Sequence, residues 1–440
     1  MSISQDYYKK AKRLIPGGVQ LLSKRPEQFA PGQWPGYAVR AQGCRVLDLD
    51  GNWYYDMTTN GIGACLLGYA DPDVSRAVVR RVEDGAMSTL NCPEEVALAE
   101  RLIQLHPWAE NVRFARTGGE ICAVAVRIAR ATTGRDVVAI CGYHGWSDWY
   151  LSANLGDGQA LDGQLLPGLS PAGVPRGLKD SAVTFQYDDF EGFDRVIRGY
   201  GDRLACVIME PARHHLPKPG FLEHVRDAVH KAGGLLIFDE ITIGWRLTYG
   251  GSHRLLGVTP DLATFAKALG NGHPIAAVIG TRAAMEGAHT SFISSTYWTE
   301  GVGCAAALAA LEKMERTRVW EHVKAVGEQV LADWTAAAAR HGVDIVPGTG
   351  FACLAEFRFA HCPQALKTLY TVLMLREGFL GNTAIYPTLA HTEEVLDLHR
   401  AALDRVFARI AGIWRAGGEE AVLAAIGGPV CQSGFKRLID

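Results

Sequence analysis

Three short apolar runs alternate with helical patterns through the middle of the chain. The runs are VVAIC, ACVIME and LLIFDE, at residues 137–141, 205–210 and 235–240. The segments between them, such as ICAVAVRIARATTG and GFLEHVRDAVHKAGG, place apolar residues at the spacing of one helix face. Continuous apolar strands separated by helices predict a mostly parallel sheet that helices cover on both faces. Ligands of such sheets bind beyond the carboxyl ends of the strands, so a functional site is expected there.

The two ends of the chain differ from this middle region. Residues 1–60 contain Pro/Gly turns and the segment VLDLDGNWYYDM, which resembles a hairpin around Asp50 and Gly51. The last part of the chain leads through helical patterns and HGVDIVPGTGFACLAEFRF to further helices. We therefore predict an α/β fold with a large domain over 61–310 and a smaller α+β domain that combines 1–60 with 311–440.

Composition excludes several classes of function. The 440 residues include 44 Lys and Arg against 47 Asp and Glu, a formal net charge of −3, and nucleic-acid binding usually needs a basic excess. No apolar stretch has the length of a membrane span or a signal peptide, so a cytoplasmic protein without a membrane partner is expected. The ten cysteines form no CxxC pair and no zinc-site spacing, which predicts no metal site. Small molecules are the expected partners.

One aspartate and one lysine stand where a buried site would need them. Asp239 ends the apolar run LLIF, and Lys267 follows 267 − 239 = 28 residues later, about the length of one strand–helix–strand unit. A lysine desolvated at a strand end has a lowered pKa and attacks carbonyl groups to form a Schiff base. The alternatives are a capping role for Asp239 and a surface position for Lys267, with its ammonium in water.

Two further segments carry groups that suit a phosphate and a flat heterocycle. In RTGGEICAVAVRIAR, Thr117, Gly118 and Gly119 precede a helix whose free N–H groups and dipole favour phosphate. In GYHGW, Tyr143 follows directly on the run VVAIC, where its ring can stack on a heterocycle. Each signal has a commoner explanation by itself, namely a tight turn for the glycines and a core position for the tyrosine.

In this order, the phosphate turn, the strand-end aromatic, the aspartate and the lysine resemble the pyridoxal-phosphate enzymes of the aspartate-aminotransferase fold. The resemblance is to the class III aminotransferases, and among them most of all to the glutamate-1-semialdehyde aminomutases. It is carried by LIPGGVQ, VLDLDGNWYYDM, LLGYADP, RTGGE, GYHG, MEPA, FDEITIGWR, PDLATFAKALGNGHPIAA and SSTYWTEGVGCAAALAALEKM. It implies fold type I, pyridoxal 5′-phosphate as the cofactor, and a homodimer with the active site at the subunit interface.

The resemblance also implies roles for single residues. Lys267 would form a Schiff base with the cofactor and, once the substrate displaces it, transfer the proton. Asp239 would pair with the pyridinium nitrogen, and Tyr143 and Ile241 would pack on the two faces of the ring. The family's usual Ser-Gly-Thr turn is Thr-Gly-Gly here, so one hydroxyl is lost. The remaining cofactor contacts implied are Thr117, Gly118, Gly119, Glu210 and Thr296, of which Thr296 would reach the cofactor of the neighbouring subunit.

The departures from the family pattern concern the substrate. Lys24 stands where the aminomutases have an arginine that binds the substrate carboxylate, and lysine lacks the planar fork of that group. Ile62 corresponds to a pocket tryptophan, and WTEG at 298–301 replaces SGNP. A wider pocket without the arginine would suit a bulky amino sugar or aminoglycoside-like amine. Other residues expected near its mouth, for which core packing is the alternative, are Trp146, Trp149, Trp298 and Glu300.

Several functions share these residues. The first hypothesis is a transaminase that moves an amino group between a donor and an aldehyde or ketone by a ping-pong mechanism. The second is an aminomutase or epimerase acting on a small amino acid or amino sugar, which would use Lys267 and Asp239 in the same way. Loss of either residue would favour a non-catalytic binding protein, and a GxGxxG motif between strand and helix would favour a dinucleotide-dependent oxidoreductase. Both residues are present and that motif is not.

Overall fold

A computed structural model of the chain describes residues 2–164, 166–212, 214–432 and 434. These residues form two compact units. The central unit consists of residues 72–318 with residue 434, and the terminal unit combines 2–71 with 319–432. Each unit has its own hydrophobic core of buried side chains, as expected for a chain of this length.

The unit boundaries lie further along the chain than the predicted ones at 60/61 and 310/311. The segment after residue 60 stays with the terminal unit because its backbone pairs there: the Leu389 N–H donates to the Leu66 carbonyl at 2.9 Å. A helix at Val302–Thr317 stays with the central unit because it packs against the helix at Pro72–Glu83. Neither contact is visible in the local sequence pattern.

The strands and helices alternate through the central unit and are grouped at the two ends of the chain. The strands are β1 (Ala38–Gln42), β2 (Arg45–Asp48), β3 (Trp53–Met57), β4 (Asn111–Ala115), β5 (Val137–Cys141), β6 (Ala182–Thr184), β7 (Leu204–Met209), β8 (Leu235–Asp239), β9 (Leu262–Phe265), β10 (Ala276–Gly280), β11 (Ile345–Pro347), β12 (Ala355–Phe359), β13 (Phe379–Gly381) and β14 (Ala384–Ile385). The helices are α1 (Ile3–Leu14), α2 (Pro72–Glu83), α3 (Pro93–Leu105), α4 (Gly118–Thr133), α5 (Asp148–Leu151), α6 (Phe190–Tyr200), α7 (Phe221–Ala232), α8 (His253–Leu256), α9 (Gly287–Thr290), α10 (Val302–Thr317), α11 (Val319–His341), α12 (Pro363–Arg376) and α13 (Glu393–Ile426).

The central unit is built on a seven-stranded sheet in the order β4-β10-β9-β8-β7-β5-β6. Strands β5 to β9 run parallel to one another, while β10 is antiparallel to both of its neighbours. Every residue of β5 and β7 is buried, which explains their uninterrupted apolar sequence. The predicted mostly parallel sheet is confirmed, with β10 as the exception.

Two neighbouring strands bring the predicted aspartate and lysine to the same edge of this sheet. β8 and β9 pair in parallel, with Asp239 opposite Thr264. Asp239 is the last residue of β8, and Lys267 follows β9 by two residues. The spacing of 28 residues therefore spans one crossover between adjacent strands, as the sequence predicted.

The terminal unit combines two small sheets with long helices, which is an α+β arrangement. One sheet has the order β1-β2-β3-β13 and the other the order β11-β12-β14. β2 and β3 form the predicted antiparallel hairpin around Asp50 and Gly51. Trp334 of α11, Tyr370 of α12 and Phe407 of α13 meet in its core. Of the helices in the described ranges, none combines the length and the apolar character that a membrane crossing requires.

Candidate active site

Lys267 occupies a tight turn beyond β9. Its φ of +48° lies in the left-handed region, which a lysine rarely adopts and which needs support from its surroundings. A short 3₁₀ turn over Lys267–Gly270 gives that support, with the Leu269 N–H donating to the Ala266 carbonyl at 3.0 Å. The side chain is half-buried, and its Nζ donates to Thr242 Oγ1 at 2.8 Å. The amine therefore lies inside the carboxyl edge of the sheet rather than in bulk water.

Asp239 is only 3% exposed and is surrounded by hydrogen-bond donors. His144 Nδ1 lies 2.7 Å from one carboxylate oxygen, and the Ile241 N–H donates to the other at 3.0 Å. The Cys122 thiol donates to the same oxygen as His144, over 3.6 Å. A buried carboxylate needs such partners. They fix both its position and the direction of its lone pairs.

His144 connects Asp239 to the end of β5. Its Nε2 lies 3.2 Å from the Cys141 carbonyl, while its Nδ1 faces Asp239. Both neighbours are acceptors, so the ring donates to both only when each nitrogen carries a proton. In the segment GYHGW the sequence pattern points to Tyr143 alone, and nothing in it indicates this role for His144.

Cys122 of α4 completes a buried cluster with Asp239 and His144. The ligand atoms of these three residues all lie within 4.8 Å of one another, so their spacing alone would permit a metal ion. Burial, and next the charge of Asp239, raise the pKa of the Cys122 thiol well above its usual value. A thiol that keeps its proton can donate a hydrogen bond to the carboxylate. The mutual hydrogen bonds therefore explain the cluster without an ion.

The predicted phosphate turn is the first turn of α4. Thr117 caps this helix: its Oγ1 accepts from the Glu120 N–H at 3.3 Å, and the Glu120 carboxylate accepts from the Thr117 N–H at 2.9 Å. This reciprocal capping box occupies the Thr117 groups. The N–H groups that follow, on Gly118 and Gly119, belong to the part of a helix that has no intrahelical acceptor. They suit an anion at the positive end of the helix dipole.

The two glycines bring the phosphate turn against the other predicted segments. A Cβ on Gly118 would lie 3.2 Å from the Ile241 side chain, and one on Gly119 would lie 3.5 Å from Trp146. A Cβ on Gly145 would come within 2.8 Å of the Gly119 Cα. Close backbone packing and a φ of +108° therefore require glycine at position 145, whereas a Cβ at position 119 would make an ordinary contact. A helix N-terminus, a buried carboxylate and a half-buried lysine side by side fit a phosphorylated heterocycle.

Tyr143 and Glu210 flank the same edge. Tyr143 is half-buried and packs against the hydrophobic cluster that also takes Ile241, and its ring meets Tyr150 edge-on at 5.8 Å between centroids. Glu210 follows β7 and is 5% exposed. A Cβ on Gly142, whose φ is +116°, would lie 2.6 Å from the Glu210 carboxylate. Both predicted side chains thus lie against the loop that follows β5.

Thr296 lies apart in a segment rich in hydroxyl groups. It is exposed and begins a 3₁₀ turn over Thr296–Thr299. It lines a cavity of about 480 Å³. The other lining residues are Met87, Ser88, Thr89, Ser294, Ser295 and Thr299. Hydroxyl groups at an open surface of one chain are compatible with the predicted contact to a neighbouring subunit, which stays a prediction.

Glu300 already has partners within the central unit. Its Oε1 lies 2.9 Å from Arg116 Nε, and its carboxylate accepts from the Val302 and Gly303 N–H groups at the start of α10. A negative charge at a helix N-terminus is stabilising. The carboxylate is thus a helix cap and an ion-pair partner. A cationic substrate would have to compete with Arg116 for it.

The three tryptophans predicted near the substrate differ in exposure. Trp149 is only 7% exposed and belongs to the hydrophobic core of the central unit, which favours the packing alternative. Trp298 is half-buried, and its Nε1 donates to Glu120 at 3.4 Å. Trp146 is 74% exposed and touches the phosphate turn. The structure thus leaves Trp146 and Trp298 accessible.

Lys24 and Ile62 belong to the terminal unit, where they line one cavity of about 310 Å³. Lys24 is exposed, whereas Ile62 is half-buried and has a φ of +58°. A left-handed conformation strains a β-branched residue, and such strain concentrates at functional sites. Aromatic and acidic side chains share the lining, namely Trp34, Tyr37, Tyr54, Tyr69, Asp48 and Asp56.

Comparisons with known proteins identify the family of this chain. Residues 30–397 match the family model of the class III aminotransferases. A 3-aminobutyryl-CoA aminotransferase of Cloacimonas acidaminovorans is 33% identical over 78% of this chain and 80% of its own length. A 2'-deamino-2'-hydroxyneamine transaminase of Streptomyces kanamyceticus is 33% identical over 90% of this chain and 97% of its own. A glutamate-1-semialdehyde 2,1-aminomutase of Symbiobacterium thermophilum is 34% identical over 92% and 97%.

Solved structures extend the agreement to the fold and the cofactor. The internal aldimine form of the FumI protein of Sphingopyxis sp. MTA144, which contains pyridoxal phosphate, matches with a TM-score of 0.84. It is 26% identical and covers 94% of this chain and 97% of its own. A transaminase with the cofactor bound matches with a TM-score of 0.81 at the same identity. The fold is therefore type I, and the residues at the carboxyl edge of the central sheet fit its cofactor. The chain belongs to the class III aminotransferases, which are pyridoxal-phosphate-dependent enzymes.

Proposed function

We propose that this aminotransferase moves an amino group between a bulky amino sugar or aminoglycoside-like amine and an aldehyde or ketone. The observation that carries the proposal is the shared cavity of Lys24 and Ile62. These are two of the three places at which the sequence departs from the aminomutases, the third being residues 298–301. Aromatic rings, hydroxyl groups and carboxylates in one cavity suit a hydroxylated ring that bears ammonium groups. The similarity to a 2'-deamino-2'-hydroxyneamine transaminase supports the same substrate class.

The residues of the central unit would carry the reaction. When bound, pyridoxal phosphate supplies an aldehyde that takes up the amino group and a ring that accepts electrons. The Lys267 amine would transfer the proton, because it is half-buried at the strand edge. Asp239 would hold the proton on the ring nitrogen, with His144 and Cys122 keeping its carboxylate in place.

The remaining cofactor contacts follow from the same edge of the sheet. The N–H groups of Gly118 and Gly119, next to the cap residue Thr117, would bind the phosphate. Tyr143 and Ile241 would pack on the two ring faces, and Glu210 would support the loop that carries Tyr143. Thr296 would reach the phosphate of a second copy, so the working enzyme would be a homodimer.

The substrate contacts are of unequal strength. Lys24 and Ile62 share a cavity, and Trp298 is accessible. Glu300 is paired with Arg116, and Trp149 is buried in the core. We therefore give Lys24, Ile62 and Trp298 the main part in substrate choice.

A second candidate function keeps the same residues but returns the amino group to the molecule it came from. It is an aminomutase or an epimerase, and the 34% identity to a glutamate-1-semialdehyde aminomutase favours it. Lys24 argues against the carboxylate-bearing substrate of that enzyme, because its ammonium cannot form the bidentate pair of an arginine. Product analysis with and without an added amino acceptor separates the two functions.

Absorbance spectroscopy of the cofactor-loaded protein tests the proposal. Neamine, glucosamine, L-glutamate and L-alanine are added one at a time, and conversion of the cofactor from its aldehyde form to its amine form is followed. Lys267→Ala serves as the inactive control. We expect neamine or glucosamine to convert the cofactor. Conversion by the two carboxylate-bearing amines alone would reject the amino-sugar substrate, and conversion without any net transfer to an added keto acid would favour the aminomutase.

A further inference from the structure

The Lys267 amine has a defined hydrogen-bond acceptor in Thr242. Nζ lies 2.8 Å from Thr242 Oγ1. Thr242 is 9% exposed, so water competes little for its hydroxyl. Neither the strand pattern nor the family resemblance pointed to this residue, which lies three positions after Asp239 in FDEITIGWR.

Hydrogen bonds hold the backbone of the turn that carries Thr242. Directly before it, the Ile241 N–H donates to Asp239 at 3.0 Å. Four residues further along the chain, Arg246 Nε donates to the Thr242 carbonyl at 3.1 Å. The Gly244 N–H donates to the Glu240 carbonyl at 2.8 Å and closes the turn. The backbone on which Thr242 stands is thus held on one side by Asp239 and on the other by Arg246.

Glu240 anchors the far end of the same turn. It is 1% exposed, and its carboxylate accepts from the N–H groups of Ser252 and His253 at 2.9 Å each. Its Oε1 also lies 2.8 Å from His253 Nδ1. Trp108 Nε1 donates to His253 Nε2 at 3.0 Å. The turn is therefore held at both ends by buried hydrogen bonds.

We propose that Thr242 is a positioning residue for Lys267: its hydroxyl accepts one N–H of the amine whenever that amine is not bonded to the cofactor. This hydrogen bond occupies a hydrogen of the neutral amine and leaves the nitrogen lone pair available for the substrate proton. No bond to Thr242 forms or breaks during the transfer. The inference rests on the proposed role of Lys267 in the reaction.

In this arrangement the Thr242 hydroxyl makes the free Lys267 amine easier to protonate. An acceptor beside an ammonium stabilises the charged form, so removal of the hydroxyl lowers the pH at which the amine loses its proton. A purely structural role of Thr242 would change the melting temperature and leave this pH unchanged. Thr242→Ser keeps the acceptor, and Thr242→Val removes it at almost the same volume.

The reactivity of Lys267 toward cyanate measures the effect directly. The protein is loaded with pyridoxamine phosphate, so that Lys267 is free, and its carbamylation rate is followed by mass spectrometry against pH. In Thr242→Val we expect the midpoint to fall by about one pH unit, and the single-turnover rate to fall roughly fivefold to tenfold, as for one hydrogen bond. Thr242→Ser should match the parent in both.

Thr371→Val is the matched control, because this buried threonine hydroxyl has no hydrogen-bond partner in the part of the chain that the structure describes. It should titrate like the parent. A Thr242→Val midpoint equal to that of the parent overturns the proposal, and Thr242→Ala replaces this variant if it does not fold.

Borohydride reduction of the pyridoxal-phosphate-loaded parent, followed by peptide mapping, separates the role of Lys267 in the reaction from the role of Thr242 toward Lys267. If the reduced cofactor is not attached to Lys267, the proposed role of Lys267 is rejected. If it is attached to Lys267 but the carbamylation midpoint of Thr242→Val equals that of the parent, only the role of Thr242 is rejected.

Discussion

Two buried carboxylates of the central unit and one buried histidine of the terminal unit differ in their hydrogen bonding. Next to β8, the central unit pairs Asp239 with His144 and Cys122, and Glu240 with His253. In the terminal unit, neither ring nitrogen of the fully buried His399 has a hydrogen-bond partner among the described residues. Lys24, which we propose as a substrate contact, is exposed and lines a cavity of the same unit.

This difference separates two kinds of function. A cofactor of fixed shape rewards rigid, fully paired groups, because their position is set before the reaction starts. Substrate choice depends on side chains that line a cavity and that can change without disturbing a buried network. We therefore expect changes in the central unit to lower all amine reactions together. Changes in the terminal cavity should alter the preference between amines.

The largest difference in single-turnover rate is expected between variants of Lys267, in the central unit, and of Lys24, in the terminal unit. Lys267→Ala removes the proton-transfer group and should lower the single-turnover rate by at least about 10³-fold. Lys24→Ala should leave that rate within roughly threefold at saturating amine, because an exposed side chain affects binding alone. Stopped-flow absorbance gives both rates. A reversed order would reject the division between the units.

Asp239→Asn should have the next largest effect. The amide has no charge to balance a proton on the cofactor ring and disturbs the hydrogen bonds from His144 and Cys122, so we expect a loss of about 10²- to 10³-fold for every amine tested. Asp404→Asn, which changes an exposed ion pair with Arg340, is the matched control and should retain full activity. An Asp239→Asn enzyme within tenfold of the parent would contradict the proposed pairing with the cofactor.

Lys24→Arg tests whether the side chain at position 24 contacts the substrate. A guanidinium can bind a carboxylate through two parallel hydrogen bonds, which is worth about tenfold in affinity. We expect the KM for L-glutamate to fall by roughly that factor, while the rate at saturation and the KM for neamine stay within about twofold. Equal changes for both amines would mean that Lys24 does not contact the substrate.

The smallest effect concerns stability in acid and compares buried histidines of the two units. Burial lowers the pKa of His399 to about 3 and that of His106 to about 4. In the unfolded chain both rings titrate near 6.5. Between that pH and the folded values only the unfolded chain binds the proton, so stability is full above about pH 6.5 and falls as the pH drops. Each histidine contributes up to about 1.4 kcal/mol per pH unit.

His399→Leu should therefore reduce the slope of stability against pH between about 6 and 4. Urea midpoints of the terminal unit's transition, measured at intervals over this range, give that slope. The exposed His361 of the same unit provides the control, because its replacement by leucine removes no buried imidazole. A slope unchanged in His399→Leu would show that this histidine takes up its proton without unfolding.

Much of the central unit could be predicted from sequence, because its signals are local. The runs VVAIC, ACVIME and LLIFDE are apolar since β5, β7 and β8 are buried, and parallel pairing then places Asp239 and Lys267 at one edge. The antiparallel direction of β10 was not predicted. Nothing in a single apolar strand states which way its neighbours run.

The side-chain contacts around Asp239 and Lys267 depend on tertiary packing, so the local sequence pattern gave little indication of them. Thr242 accepts from Lys267, and Cys122 donates to Asp239, only because α4 and the turn after β8 meet. Glu300 was predicted for the substrate from its unusual place in the sequence, yet it pairs with Arg116 and caps α10. A polar residue near a site is as readily used to hold the fold as to bind a ligand.

The ratio of two half-reaction rates shows whether the cofactor residues and the substrate residues act independently. We would measure the rate with neamine and the rate with L-glutamate, at the same subsaturating concentration, for the parent, Asp239→Asn and Lys24→Arg. The division of roles between the two units predicts that Asp239→Asn lowers both rates and leaves their ratio unchanged, while Lys24→Arg shifts the ratio toward L-glutamate by about tenfold. A ratio that changes in Asp239→Asn, or that stays constant in Lys24→Arg, would contradict it.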